Sequence, residues 1–315
     1  MVVNLKKFTN KPELFTGGHR LCAGCGIATI IRQVLMAVEN PVVISNATGC
    51  LEVGSSIYPY TSWKVPWIHS AFENSAATIS GVETVYQALR EEGKVAEDIR
   101  FIAIGGDGGT YDIGLQALSG ALERGHNFTY ICYDNEAYMN TGMQRSSASA
   151  YGSWTTTTPL GKVGKGKTIR KKPLTDIVVA HRIPYVAQAA PGHWRDLMTK
   201  VQKALATEGP SFLNILQPCV PGWRIEPHAS MKAAKLAVET CYWPLYEVVD
   251  GVYRVTVKPK QKKPLAEYLE LQGRFRHLLA EEQQPLLDEL QADVDAVWEA
   301  LLNKSAPTET KTKEE

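Results

Sequence analysis

Phe101-Ile-Ala-Ile-Gly-Gly-Asp-Gly-Gly-Thr110 is the stretch whose reading decides the fold. Phe101 to Ile104 is a continuous apolar run, the mark of a strand covered on both faces. It stops at a glycine cluster, and a helical pattern follows from Ile113 to Arg124. Glycines at such a strand–helix turn let backbone N–H groups approach a phosphate, and the helix N-terminus favours negative charge. A carboxylate in the same turn repels phosphate unless a cation lies between them. Asp107 therefore points to Mg²⁺ bridging a diphosphate rather than to a bare dinucleotide turn.

The same rhythm extends in both directions. After Cys25, the residues Ile27, Ile30, Ile31, Val34, Leu35 and Val38 fall on one face of an amphipathic helix. Pro41–Ser45, Phe128–Tyr133, Tyr185–Ala187 and Ser211–Leu216 read as further buried strands. Helical patterns cover Phe72–Arg90, the region around Val178 to Ala180, and Trp194–Leu205. Alternating strands and helices with apolar strands predict an α/β fold, a doubly wound, mostly parallel sheet. That domain is expected over residues 1–250. Residues 251–315 are expected to be a basic linker and a helical C-terminal arm, whose Leu stripe grips a partner subunit. Gly161–Lys172, basic and glycine-rich, is expected to be an exposed loop, and Thr308–Glu315 a charged, frayed end.

Open parallel sheets bind ligands beyond the carboxyl ends of their strands. Four strands deliver polar, glycine or cysteine residues there: Asn46-Ala-Thr-Gly-Cys50, Gly105–Thr110, Asp134–Gly142 and Gln217-Pro-Cys219. Asn135 follows the next strand after Asp107, and its amide oxygen and the Ala137 carbonyl are suited to complete a Mg²⁺ site. Cys22-Ala-Gly-Cys25 opens the first helix, while Cys50 and Cys219 follow strands. Three readings fit this set: a redox pair, structural zinc, or a four-cysteine iron–sulfur cluster. Placement of Cys50 and Cys219 at the same sheet edge favours the cluster. Cys132 and Cys241 read as packed residues. His19, three residues before Cys22, reads as local structure, and the aromatic stretch Tyr58–Trp67 as packing, pocket wall or interface.

The 315 residues carry 34 Lys and Arg against 33 Asp and Glu, a formal charge of +1. That balance argues against bulk electrostatic binding to nucleic acid. Hydrophobic residues at 44% and charged residues at 21% exclude a disordered or fibrous chain. No run approaches the ~18 apolar residues of a membrane span. With six cysteines and no signal-peptide pattern, a cytoplasmic protein with reduced thiols and no membrane partner is expected.

The combination resembles the thiamine diphosphate (TPP)-binding beta subunits of the 2-oxoacid:ferredoxin oxidoreductases, of the pyruvate type or the related oxalate oxidoreductase. The stretches that carry the resemblance are Cys22–Gly26, Asn46–Glu52, Tyr58–Trp67, Gly105–Thr110, Asp134–Gly142 and Trp154–Pro159. The resemblance implies a [4Fe–4S] cluster on Cys22, Cys25, Cys50 and Cys219. It implies Mg²⁺ on Asp107, Asn135 and the Ala137 carbonyl, and a diphosphate cradle from Gly106, Gly108, Gly109 and Thr110. Thr48 and Gly49 would line the cofactor pocket. Asn140 matches an active-site asparagine of the family, and Asp112 either faces substrate or starts a helix. The implied reaction is oxidative decarboxylation of a small 2-oxoacid: pyruvate with coenzyme A, or oxalate to two CO₂. Electrons would pass one at a time through the cluster to ferredoxin. The glutamate that engages the TPP aminopyrimidine belongs to a partner in this family, and neither Glu52 nor Glu73 is assigned to it. The implied partners are therefore a pyrimidine-binding alpha subunit and a ferredoxin-like cluster subunit, and this chain alone is catalytically incomplete. A non-redox TPP-dependent decarboxylase or carboligase is the alternative, although it has no use for four cysteines.

Overall fold

The computed structural model describes residues 5–8 and 10–305, so the tail at Thr308–Glu315 lies outside the described residues. Among the described residues six strands run parallel: β1 (Val42–Ala47), β2 (Trp67–Ser70), β3 (Arg100–Gly106), β4 (Thr129–Asp134), β5 (Tyr185–Ala189) and β6 (Ser211–Leu216). Antiparallel β7 (Leu245–Val249) and β8 (Val252–Val257) extend the sheet beyond β5. The strand order is β2-β1-β3-β4-β6-β5-β7-β8. From β1 the chain first moves outward to β2 and then crosses back to β3. The loops after β1 and β3 thus diverge, and a crevice opens at the carboxyl ends of these two strands.

Helices cover both faces because the strands are apolar on both. Gly26–Ala37 and Trp194–Ala206 pack over one face with Ile44, Ile104, Ile131 and Leu213. Ser75–Glu91 and Leu115–Glu123 cover the other with Ala103, Tyr130 and Phe212. Among the described residues, no helix is long and apolar enough to cross a membrane.

Three expectations change, and one strand has no signal in the sequence. The boundary at residue 250 falls inside a hairpin, and the sheet runs on to Val257. Asp250 and Gly251, with φ of 48° and 82°, form the turn that joins these strands, a pairing whose Asp-Gly signal is legible in the sequence. The leucines of the C-terminal arm are also spent within the chain. Leu265, Leu269, Phe275 and Leu278 close a third core around Trp223 and Trp243, and Leu301 of the helix Gln284–Ser305 is buried as well. Short β2, half exposed at the sheet edge, has too few apolar residues to read as a strand.

The third change concerns Gly161–Lys172, which is exposed only in its first part. Val163 is 92% exposed, but Lys167 is buried and donates to the Ser147 carbonyl at 3.2 Å. Lys171 turns inward to Asp134 at 2.7 Å. The buried carboxylates of Asp134 and Glu136 draw in Lys171 because an unpaired buried charge is costly, while Lys167 is held by the backbone carbonyls of Ser147 and Ser149.

Leu213 and Val163 provide a direct stability comparison. Leu213→Ala is expected to lower stability by about 2–5 kcal/mol, because Leu213 is fully buried in β6. Val163→Ala is expected to stay within about 0.5 kcal/mol. Urea unfolding midpoints check both values, and equal midpoints would remove β6 from the core.

Candidate cofactor and cluster site

β1, β3, β4 and β6 all end at one edge, where adjacent strands are held in register by Gly106 against Tyr133 and Asp134 against Leu216. A cavity of about 240 Å³ opens there. Thr48, Gly49 and Cys50 form one side, Gly106, Asp107 and Gly108 the floor, and Asn135, Ala137 and Asn140 the other side. Phe72, Tyr133, Tyr138 and Met139 supply apolar wall. A larger cavity, about 570 Å³, lies under the helix Gln284–Ser305 around Leu269, Phe275, Leu290 and Leu301 and shares no lining residue with the first.

The floor needs bare backbone. After Asp107 the chain enters a wide helical turn, Gly108–Ile113. A Cβ on Gly108 would sit 2.3 Å from the Tyr138 ring, so only glycine lets the ring close over the turn. Gly109 lies against Phe72, while the Thr110 hydroxyl donates to the Gly106 carbonyl at 2.7 Å. Neither Gly109 nor Thr110 lines the cavity. Thr48 Oγ1 lies 2.7 Å from His69 Nε2 and remains at the cavity wall.

Asp107 is buried at the centre. Its Oδ2 accepts from Ser146 Oγ at 2.5 Å, and its Oδ1 from the Asn135 amide N–H at 3.3 Å. Burial, reinforced by the charge of nearby Asp134, raises its pKa well above the usual carboxylate range. One end of the Asn135 side-chain amide lies 2.8 Å from the Ala137 carbonyl and 2.8 Å from Asp107 Oδ1. With nitrogen at that end the amide donates to both. With oxygen there, three oxygens converge, an arrangement that a cation would relieve.

Asp112 does not line the cavity. Its carboxylate accepts from Tyr138 Oη at 2.8 Å and the Ser147 N–H at 3.1 Å, with Lys172 3.3 Å away. Burial works against its charge, but these bonds and Lys172 outweigh it and hold the pKa below the ordinary value. The group therefore staples the loop 138–147 to the turn after β3.

Cys22, Cys25, Cys50 and Cys219 come together beside the cavity. The turn Cys22–Cys25 is pinned where Gly24, φ 74°, lies so close to Pro227 that an added Cβ would be 2.3 Å from its carbonyl oxygen. Gly26 N–H bonds the Pro218 carbonyl at 3.2 Å, joining this turn to the Cys219 loop. Burial pushes the thiol of Cys25 up to about 12, Cys50 to about 11 and Cys219 to about 12. Negative charge on Cys22, Cys25 and Cys50 raises Cys219 further, so the four thiols are electrostatic neighbours. All four are free of disulfides. As thiolates they require a strongly cationic centre. Among the described residues, however, no three His, Cys, Asp or Glu side chains converge on a single-ion site. Cys132 and Cys241 are buried elsewhere. His19 stacks on Phe15, ring centres 5.5 Å apart.

Against this geometry, the comparisons with known proteins are specific. The family described as thiamine pyrophosphate enzyme, C-terminal TPP binding domain, matches residues 47–215. Pyruvate synthase subunit PorB of Thermotoga maritima is 53% identical, covering 99% of each chain. The chain belongs to the TPP-binding subunits of the 2-oxoacid:ferredoxin oxidoreductase family. Within that family, pyruvate synthase subunit PorB of Methanocaldococcus jannaschii is 54% identical over 86% of this chain and 92% of that one. Ketoisovalerate oxidoreductase subunit VorB of Pyrococcus furiosus is 43% identical over 95% of this chain and 96% of the other. A solved 2-oxoglutarate:ferredoxin oxidoreductase from Magnetococcus marinus shares the fold, with a TM-score of 0.55 and 21% identity. That match covers 72% of this chain and 81% of the other.

Ser146, Trp223, Glu136, Lys171 and Arg274 also belong to the site, and none of them was expected there from the sequence. Ser146 bonds Asp107, and Trp223 Nε1 donates to the Asn135 carbonyl at 2.8 Å. Glu136 receives Lys171 at 3.0 Å, Tyr242 at 2.7 Å and the Arg274 guanidinium. Glu136 does have a signal in the sequence, a charged residue between two proposed ligands. Its partners, from 35 to 138 residues away, have none.

The Glu136 cluster sets an acid limit on stability. Burial alone would raise this carboxyl, but Lys171 and Arg274 dominate and hold it at about 2, below its ordinary 4.5. A depressed carboxylate contributes stability above its unfolded pKa and loses that contribution as pH falls through the folded one. Wild-type stability should therefore fall between about pH 4.5 and about pH 2. Glu136→Gln should flatten that slope in acid-unfolding curves, whereas an unchanged slope would mean that these ion pairs contribute nothing.

Proposed function

We propose that this chain is the TPP- and Mg²⁺-binding subunit of a pyruvate:ferredoxin oxidoreductase and carries its own [4Fe–4S] cluster. The observation that carries the reading is the juxtaposition of the oxygen cradle of Asp107, Asn135 and Ala137 with four converging thiols. Names of relatives at 53% and 54% identity favour pyruvate over oxalate as the 2-oxoacid. A non-redox decarboxylase would leave the four cysteines without a role.

The fit to Mg²⁺ rests on oxygen donors alone, the donor set this ion prefers. Asp107, whose charge is disfavoured by burial, would be stabilised as a carboxylate by such an ion. Gly106 and Gly108 leave room for a diphosphate, with Gly109 and Thr110 behind them shaping the turn. Thr48 and Gly49 bound the pocket on the β1 side. The thiols of Cys22, Cys25, Cys50 and Cys219 suit a cluster by their chemistry, because four thiolates are its usual ligands and these four are electrostatic neighbours. When bound, TPP would supply an electron sink for loss of CO₂, and the cluster a one-electron acceptor beside it.

This chain's residues then have separable tasks. Asn140 shares the cavity wall with Cys50 and so sits between the cofactor and cluster regions. It is placed to orient the substrate carboxylate or keto oxygen. Tyr133, Phe72 and Met139 exclude water from the pocket. Asp112 acts through Tyr138 by holding the loop that carries Asn140. The alpha subunit would bring the activating glutamate, a separate subunit would bring ferredoxin-like clusters, and ferredoxin would take the electrons.

Asp107→Ala is expected to abolish Mg²⁺-dependent TPP binding in calorimetry of the assembled complex, and normal binding would defeat the cradle assignment. Anaerobically purified protein should hold about four irons per chain attributable to this site, and Cys219→Ser should lose most of them. Zinc in place of iron, or full iron in the variant, would overturn the cluster. Viologen reduction with pyruvate plus coenzyme A, set against oxalate alone, tests the substrate, and activity with oxalate only would reverse that choice.

A further inference from the structure

We propose that Arg274 is a positioning residue for the metal cradle, locking the segment Asp134–Ala137 through the Glu136 carboxylate. The inference rests on the Mg²⁺ reading given above. The two donors contributed by this segment, the Asn135 amide and the Ala137 carbonyl, flank a single residue. Glu136 has φ of 69°, the left-handed region that side-chain-bearing residues seldom occupy. In this conformation Asn135 and Ala137 line the cofactor cavity while the Glu136 carboxylate is buried among other partners. The separation of the two donor oxygens is therefore governed by one backbone conformation that the chain would otherwise avoid.

What holds that conformation comes from distant parts of the chain. The Arg274 guanidinium, 2% exposed, bonds Glu136 Oε2. Gln272 Oε1 accepts from Arg274 Nε at 3.0 Å and Nη2 at 2.7 Å, which fixes the fork. Below it lie the rings of Trp223 at 4.4 Å and Phe275 at 4.7 Å. Trp223 itself donates to the Asn135 carbonyl, so the same stack grips the segment twice. On the other carboxylate oxygen, Glu136 Oε1 accepts from Tyr242 and Lys171, and Lys171 also pairs with Asp134 at 2.7 Å. The segment Gly273–Leu279, expected from sequence to serve subunit contact, thus reaches from the C-terminal arm to the back of the cofactor site. Removing the guanidinium would free Glu136 to relax toward ordinary backbone and swing the Ala137 carbonyl out of register. Loss of a direct outer partner of a metal ligand weakens metal affinity about 10- to 100-fold, and Arg274, acting through the residue between two ligands, is expected to fall at the lower end of that range.

The test uses the assembled complex with Arg274→Met and Arg274→Lys. TPP binding is followed by tryptophan fluorescence while Mg²⁺ is varied. Arg274→Met is expected to raise the Mg²⁺ concentration at half-saturation at least about tenfold. Saturating Mg²⁺ should restore the full amplitude, and Arg274→Lys should lie between wild type and Arg274→Met. A general loss of structure would lower the amplitude at every Mg²⁺ concentration instead. If Arg274→Met does not assemble, Tyr242→Phe decides the matter. It deletes one hydrogen bond to the same carboxylate and should shift the Mg²⁺ requirement a few-fold. An unshifted requirement in a folded variant overturns the proposal alone. Wild-type binding that is indifferent to Mg²⁺ overturns the metal reading and this inference with it.

Discussion

Three carboxylates, Asp107, Asp134 and Glu136, are buried within a few residues of two neighbouring strand ends, and their mutual repulsion is the constraint on which the rest depends. Carboxylates cannot be left charged in an apolar interior without compensation. Glu136 is compensated by Arg274 and Lys171, and its pKa falls. Asp134 has Lys171 and the Tyr111 hydroxyl, at 2.7 Å and 2.5 Å. Asp107 has hydrogen bonds but, among the described residues, no cationic side chain in an ion pair with it, and its pKa rises. Burial raises the pKa of Asp134 as well, but of these two carboxylates only Asp107 lines the cavity. It marks that cavity as the place where positive charge is wanted.

The same constraint links the sheet to the C-terminal part of the chain. Lys171 is pulled inward across Trp243, 4.7 Å from its ring, and with it the end of the basic stretch. Arg274 brings the segment Gly273–Leu279 against Trp223, and the third core closes around both. A region that looks like an appendage in the sequence is therefore part of the wall behind the site. The ion pairs alone need not add net stability, since desolvation opposes them. Their geometric effect, holding Glu136 in a left-handed conformation, bears on the function.

The fold was legible where a strand is apolar throughout and ends at glycine. Phe101–Gly106, Phe128–Asp134 and Ser211–Leu216 are of that kind, since burial on both faces leaves a plain compositional trace. Trp67–Ser70 was not, because an edge strand needs only a few apolar contacts. β7 and β8 were missed although Asp250-Gly251 announces their turn. The cavity-lining residues Gly106, Asp107, Asn135 and Ala137 were legible because strand ends converge by topology, whereas Thr48, Gly49 and Asn140 were implied by the family resemblance. Asp112 was not resolved by sequence, since a carboxylate one turn into a helix points to solvent, substrate or a loop according to what packs above it.

By itself, the sequence determined the alternation of elements, the sheet edge at which chemistry gathers, and the residues placed there. Those properties follow from local pattern and from the rule that parallel strands present their carboxyl ends together. Only the tertiary structure decided that the Asn135 amide, the Ala137 carbonyl and Asp107 meet within 2.8 Å. It also decided that four thiols from three loops share one electrostatic neighbourhood, and that Arg274 stands behind Glu136. The reason is physical. Periodicity records which face of an element is buried, whereas partners of a buried charge are chosen by whatever long side chains can reach it across the folded core.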